Sequence, residues 1–254
     1  MTTLPLLHPD WPAIPGVGAA MSLREGGVSH APWDSLNLGV AVGDDPEAVI
    51  ENRARFSDAI GAQPVWLRQV HGRHVRHLKS PRSEADEPAD ASWTSARGVA
   101  CTVQSADCMP VLFALRDGSA VAAAHAGWRG LAGGVLQATL DALCGGTGAA
   151  PGDVQAWLGP TIGPRRFEVG EDVLEAFGST AWHSEPRRFT PSTRPDGSRR
   201  WLADLPALAQ DALRQAGVRH VSASNACTVE DGSRFFSYRR DRITGRMAAA
   251  IWRT

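Results

Sequence analysis

The sequence predicts an α+β fold: a single layered domain over residues 1–254, with mixed β-sheets flanked by helices. Strand-like apolar runs alternate with helical patterns along the chain. Several neighbouring runs are joined by turns of hairpin length. Neither an internal repeat nor a clean linker divides the 254 residues, of which 43% are hydrophobic, enough for a sizeable core and too many for a disordered chain.

The start, MTTLPLLHPDWPAIPG, lacks a basic region and prolines interrupt its apolar residues, so it does not read as a signal peptide. Residues 17–23 read as a strand that turns into a polar loop reaching Asn37. Asp45 as N-cap and Pro46 at the first helical position open a helix that Gly61 ends. Its apolar face is Val49, Ile50, Phe56 and Ile60, and Arg53 shares that face, as a snorkelling arginine at its edge would. Residues 65–70 read as a strand ending in the corner His71-Gly72. His74 and His77 follow in an extended, Arg-rich run, where they point to opposite faces and read as surface residues. Residues 80–91 form a polar connector, and residues 98–104 the next strand.

Residues 101–130, CTVQSADCMPVLFALRDGSAVAAAHAGWRG, organise the rest. Residues 111–115 and 120–124 are apolar runs joined by Arg116-Asp117-Gly118-Ser119, a hairpin with Asp-Gly in its turn. Cys108 precedes the first strand and His125 ends the second, so both lie at the hairpin's open end. A helical pattern at residues 131–143 follows (Leu131, Val135, Leu136, Leu140, Leu143), then a flexible loop at residues 145–152 and a strand at residues 154–158. Two glycines and two prolines make residues 159–164 a constrained turn. A short helix runs up to Phe177, and residues 183–200 have no apolar period and read as a long loop. Asp204 caps a helix that Gly217 stops. Residues 218–222, 235–239 and 247–252 read as strands, with a turn at residues 243–245.

The net charge of -1 gives no basis for electrostatic capture of nucleic acid or of an anionic membrane. No run approaches the ~18 apolar residues of a membrane helix. The four cysteines are dispersed without a CxxC pair, which points to reduced thiols and a cytoplasmic protein. A monomer is expected.

Cys108, His125 and His71, each at a strand end, have the composition of a catalytic zinc site with one position open. A lone cysteine after a strand is more often a small core hydrophobe, and a lone histidine more often a hydrogen-bonded residue. Spacing leaves these readings standing together. Gly127 and Gly130 flank Arg129 at a helix start, an arrangement suited to phosphate; Arg129 paired to Asp107 or Glu168 is the alternative.

The motifs QVHG (residues 69–72), ADCMPVL (106–112), HAGWRG (125–130), GPTIGPxxFEVGEDV (159–173) and FFSYRRDxxTGR (235–246) together resemble the YfiH-like family. SLREGGVS (22–29), SLNLG (35–39) and DDPxxVxxNR (44–53) match as well, so the resemblance covers nearly the whole chain in order. The family has been labelled a laccase-type multicopper polyphenol oxidase and is also described as a zinc-dependent purine nucleoside enzyme. The resemblance implies a layered fold once compared with bacterial toxin cysteine hydrolases of the CNF type. It implies His71, Cys108 and His125 as metal ligands. It further implies phosphorolysis of adenosine, inosine, guanosine and methylthioadenosine, with adenosine deamination, and for bacterial members a role in editing peptidoglycan precursors.

We therefore expect Zn2+ as cofactor, with copper as the alternative, and a purine nucleoside and phosphate as partners. Cys108, His125 and Asp107 are the expected catalytic residues; Arg129, Arg53, Asn37 and Gln69 are expected to contact substrate. A copper reading would use Met109 as a weak axial ligand. A full laccase takes about ten histidines for its type-1 and trinuclear centres, and this chain has eight. A third reading makes Cys108 a nucleophile with His125 as its base, and a fourth is a metal-stabilised interaction module without enzymatic activity.

Overall fold

A computed structural model describes residues 4–80, 87–178 and 188–254. In chain order the strands are β1 (Leu6–Leu7), β2 (Val17–Ser22), β3 (Gln63–Val65), β4 (Val75–His77), β5 (Ala91–Thr94), β6 (Val99–Ser105), β7 (Met109–Leu115), β8 (Val121–Ala126), β9 (Val154–Leu158), β10 (Glu168–Val169), β11 (Phe189–Thr193), β12 (Arg199–Ala203), β13 (His220–Ala223) and β14 (Met247–Arg253). The helices are α1 (Pro46–Ile60), α2 (Trp128–Ala132), α3 (Val135–Thr147), α4 (Glu171–Ala176), α5 (Leu205–Gln215) and α6 (Tyr238–Asp241).

Two mixed sheets stack face to face. One has the order β1-β2-β14-β6-β3, the other β13-β9-β7-β8-β5-β4, and a small antiparallel sheet β10-β12-β11 stands beside them. Side chains alternate across each strand, and on β7 the alternation separates two cores. Leu112 and Ala114 face the other large sheet, meeting Val103, Ala249 and Ile251. Val111 and Phe113 face the helices, meeting Leu136 and Leu140 of α3 and Leu213 of α5. On the far side, Ala20, Ala100, Ala248 and Ala250 pack under Phe56 and Ile60 of α1. The result is helix, sheet, sheet, helix, with the central strands buried on both faces. That burial explains why β7 and β8 read as unbroken apolar runs.

Helix α1 starts as expected: the Asp45 side chain accepts from Glu47 N, Pro46 follows, and Gly61 closes it at φ 63°. Its buried face is Val49, Asn52, Phe56 and Ile60. Ile50 is 68% exposed, because it lies about 100° round the helix from Val49. His74 and His77 are exposed, as expected, and His77 stacks on Trp93 at 3.9 Å.

Several elements differ from the expectation. The strand expected at residues 65–70 ends at Val65. The helix expected at residues 131–143 is two helices, because Gly134 takes the left-handed region at φ 86°. It also continues to Thr147, into the expected loop at residues 145–152. Within the loop expected at residues 183–200, Phe189–Thr193 and Arg199–Ala203 form a hairpin; residues 183–187 lie outside the described residues. The hairpin turn contains Pro195-Asp196-Gly197, with Gly197 at φ 80°, and the strands bury only Phe189, Trp201 and Ala203. Residues 235–239 are not a strand. Phe235 and Phe236 are buried, and Ser237 caps α6 by accepting from Arg240 N. Residues 81–86 of the connector at residues 80–91 lie outside the described residues, and its Ala89, Asp90 and Ala91 are fully buried.

Candidate metal centre

His125 lies on β8 opposite Pro110 of β7, and Cys108 immediately precedes β7. The sheet register therefore brings thiol and imidazole together at one end of the hairpin. His71 arrives differently. Its residue has φ 61°, in the left-handed region, and the segment leading to it has no ladder. The Gln69 side chain substitutes for one: its Nε2 donates to Gln104 O at 2.9 Å and its Oε1 accepts from Gln104 N at 2.7 Å. The next three amides, Val70 N, His71 N and Gly72 N, donate to the carboxylate of Asp90 at 3.1, 2.9 and 2.7 Å. Three consecutive amides aimed at one carboxylate curl the chain away from an extended strand, which is why the expected strand stops early.

The ligand atoms of His71, Cys108 and His125 all lie within 4.8 Å of one another. Cys108 Sγ is 3.7 Å from His71 Nε2, and the two imidazoles meet edge to face at 4.8 Å between centroids. A tetrahedral zinc ion with ordinary bond lengths holds sulfur and nitrogen about 3.6 Å apart, close to the spacing of the Cys108–His71 pair. His125 Nδ1 is bonded to Asp90 Oδ1 at 2.8 Å, which leaves Nε2 as its ligating atom. Gly127 closes the floor: a Cβ there would lie 2.8 Å from Cys108 Sγ and 2.9 Å from His71 Cδ2. The first glycine of HAGWRG is thus required by close approach to the ligands.

The ionisation of the cluster follows from burial and contact. Burial pushes the Cys108 thiol up, but the His125 charge and bonds from both imidazoles outweigh it and hold the thiol below its ordinary range. Burial pulls His125 down, and the Cys108 thiolate and Asp90 carboxylate overcome that and raise it. Burial likewise opposes Asp90 ionisation, and the bonds from His125, Gly72 and Val70 lower it in spite of that. The three shifts support one another: each charged form along the carboxylate–imidazole–thiol line favours the charge of its neighbour.

The three donors open into a cavity of about 750 Å³, whose lining includes Trp66, Tyr238, Arg53, Arg68 and Arg246. Arg53 Nε donates to Leu38 O at 3.0 Å, its guanidinium lies 4.0 Å over the Trp66 ring, and burial lowers its pKa to about 10. It is therefore held in the wall rather than snorkelling to solvent. Arg246 Nη1 donates to the carbonyls of Thr244 and Gly245, and burial lowers its pKa too. Among the described residues neither guanidinium has a carboxylate ion-pair partner.

The other expected site residues sit elsewhere. Asn37 is fully buried; it donates to Gly39 O and Asp44 Oδ2 and accepts from Gly39 N and Arg246 N, so its amide is saturated by the protein. Gln69 lines the cavity, but its amide is committed to Gln104. Asp107 is likewise committed: it accepts from Thr228 Oγ1 and Arg239 N, both at 2.6 Å. These bonds tie the segment beside Cys108 to Thr228 and to the start of α6. Arg129 does not line the cavity. It is exposed and stacks 4.2 Å over Trp128, and the helix it lies in has only five residues, too few for a strong dipole. The alternative pairing with Asp107 or Glu168 is not formed either: Asp107 is bonded to Thr228 and Arg239, and Glu168 pairs with Arg194. Sequence reading missed Asp90, whose one signal was a carboxylate set between alanines, and Arg246, which closes the motif FFSYRRDxxTGR.

Residues 18–254 match the family described as multi-copper polyphenol oxidoreductase laccase. A purine nucleoside phosphorylase of Pseudomonas aeruginosa is 51% identical over 248 residues, 97% of each chain. The purine nucleoside phosphorylase YfiH of Escherichia coli is 46% identical over 249 residues, 97% of this chain and 98% of that one. Among solved structures, a Neisseria meningitidis protein superposes with a TM-score of 0.89 at 46% identity, covering 98% of both chains. YlmD of Geobacillus stearothermophilus gives 0.89 at 33% identity over 98% of this chain and 96% of that one. By full-length sequence similarity and by fold, the chain belongs to the YfiH-like family, the one described as multi-copper polyphenol oxidoreductase laccase.

Proposed function

We propose that this chain is a zinc-dependent purine nucleoside enzyme that phosphorolyses adenosine, inosine, guanosine or methylthioadenosine and also deaminates adenosine. One observation carries the reading most directly. A Cys–His–His donor set and two guanidiniums without carboxylate partners line the same 750 Å³ cavity. The relatives named purine nucleoside phosphorylase support it. Two imidazoles and a thiolate suit zinc, which would supply Lewis acidity at the open position.

The chain's own residues would do the rest. In phosphorolysis the bond from C1′ to the purine nitrogen breaks, a phosphate oxygen bonds to C1′, and the purine takes up a proton. Arg53 and Arg246 would hold the phosphate, since a partly desolvated guanidinium attracts an anion more strongly than an exposed one. The carbonyls of Leu38, Thr244 and Gly245 hold both guanidiniums in place, so little reorganisation is needed when an anion enters. Among the described residues there is one group of three or more metal-ligating side chains, which supports a mononuclear centre over a multicopper one.

Asp90, His125 and Cys108 also form a carboxylate–imidazole–thiol line, which favours a second reading: metal-free hydrolysis with Cys108 as nucleophile. Incubation with adenosine, with and without phosphate, separates the readings when adenine, inosine and hypoxanthine are followed. Phosphate-dependent adenine release that chelation abolishes supports the proposal. Base release indifferent to phosphate means hydrolysis, and activity surviving complete metal removal favours the thiol.

A further inference from the structure

We propose that Asp90 is the positioning residue of the metal centre, setting two of its three ligands through one carboxylate. The inference rests on the metal-binding reading above. Asp90 is fully buried and its two oxygens accept four hydrogen bonds. Oδ1 accepts from His125 Nδ1 at 2.8 Å and from His71 N at 2.9 Å. Oδ2 accepts from Gly72 N at 2.7 Å and from Val70 N at 3.1 Å. Four is about the capacity of a carboxylate. Such a buried anion is tolerable only because every lone pair is met.

The four bonds do two different things. The bond to His125 settles which ring nitrogen carries the proton, and so presents Nε2 to the ion. The bonds to three successive amides hold the corner at residues 70–72, from which His71 reaches the same point at φ 61°. The main chain of Asp90 is tied to both sides as well: its carbonyl accepts from His125 N at 2.7 Å, and its N–H donates to His74 O at 3.1 Å. His71 and His125 are 54 residues apart in sequence, and the Asp90 carboxylate bonds to the backbone of the first and to the ring of the second. Cys108 is placed independently, by the register of β7.

Only an acceptor-only side chain fits this position. An asparagine has nearly the same shape but one acceptor oxygen and two N–H donors. Its amide N–H groups would face either His125 Nδ1 or the peptide N–H groups of the corner. Facing His125, it would favour the tautomer protonated at Nε2, which cannot ligate. Facing the corner, it would open the turn that carries His71.

Co2+ as a spectroscopic substitute for Zn2+ tests this on the full chain. Wild-type, Asp90→Asn and Asp90→Ala proteins are stripped of metal, and affinity is measured by competition with a chelating indicator. The wild type comes first: a 1:1 complex with thiolate-to-cobalt charge transfer is expected, and its absence removes the metal reading itself. Given that complex, Asp90→Asn should bind roughly ten- to a hundredfold more weakly, with a changed ligand-field spectrum and the thiolate band retained. Wild-type affinity and spectrum in Asp90→Asn overturn the proposal. Should the variants fail to fold, ¹⁵N spectra of the histidine rings in the zinc-loaded wild type decide it. A proton on Nδ1 of His125 with Nε2 ligating supports the proposal, and the opposite tautomer overturns it.

Discussion

Two of the three donors of the cavity are set by sheet, whereas its cationic wall is built from a helix side and a turn. Cys108 and His125 are set by the β7–β8 register, with the Asp90 carboxylate behind one of them and Gly127 beneath the other. Arg53 projects from α1 and Arg246 from the turn before β14, each bonded to backbone carbonyls. A register fixes neighbours to a fraction of an ångström, which ligation needs because bond lengths vary little. A guanidinium holding an anion needs charge within reach and tolerates more play. Changes in the donor wall should therefore be nearly all-or-none, and changes in the cationic wall graded.

The largest effect is expected at Cys108. Cys108→Ala should remove zinc and turnover together, read by metal analysis and product formation on one preparation; full occupancy at wild-type rate would dissolve the distinction. Gly127→Ala comes next, since its new methyl would press on two ligands at under 3 Å. Metal affinity should fall on the order of tenfold while the rest of the fold is retained, and unchanged affinity would mean that the floor yields.

On the cationic wall the expected loss is smaller and falls on substrate binding. Arg53→Ala should raise the KM for phosphate by roughly ten- to a hundredfold, the worth of a charged hydrogen bond of about 1.5–3 kcal/mol, with zinc content unchanged. Arg53→Lys should fall between, keeping charge and losing the fork. A fall in kcat with KM unmoved would reassign Arg53 to the chemistry. The smallest effect is expected at Arg129, which is exposed on Trp128. Arg129→Ala should leave the phosphate KM within about twofold and stability within about 0.5 kcal/mol; a large rise in KM would return the anion to the start of α2.

Features set by local chemistry were readable in the chain. Asp45-Pro46 and Gly61 bound α1 because capping is satisfied within a few residues, and Asp117-Gly118 marks the hairpin that brings Cys108 toward His125. The family motifs pointed to the same three ligands. Other features depended on partners distant in sequence. His71 ends a corner and not a strand because Asp90 takes its amides, and nothing near His71 announces that carboxylate. Asp107 stands beside the ligand Cys108 and Arg129 at a glycine-flanked helix start, positions that suggest function, yet one is bound by Thr228 and Arg239 N and the other is turned onto Trp128. Arg246 enters the cavity from the far end of the chain because β14 pairs with β2 and β6. Residue types and local turns settled which side chains can ligate. Long-range pairing decided which of them meet, because a hydrogen bond or ion pair across a fold depends on distance in space and leaves no trace in sequence spacing.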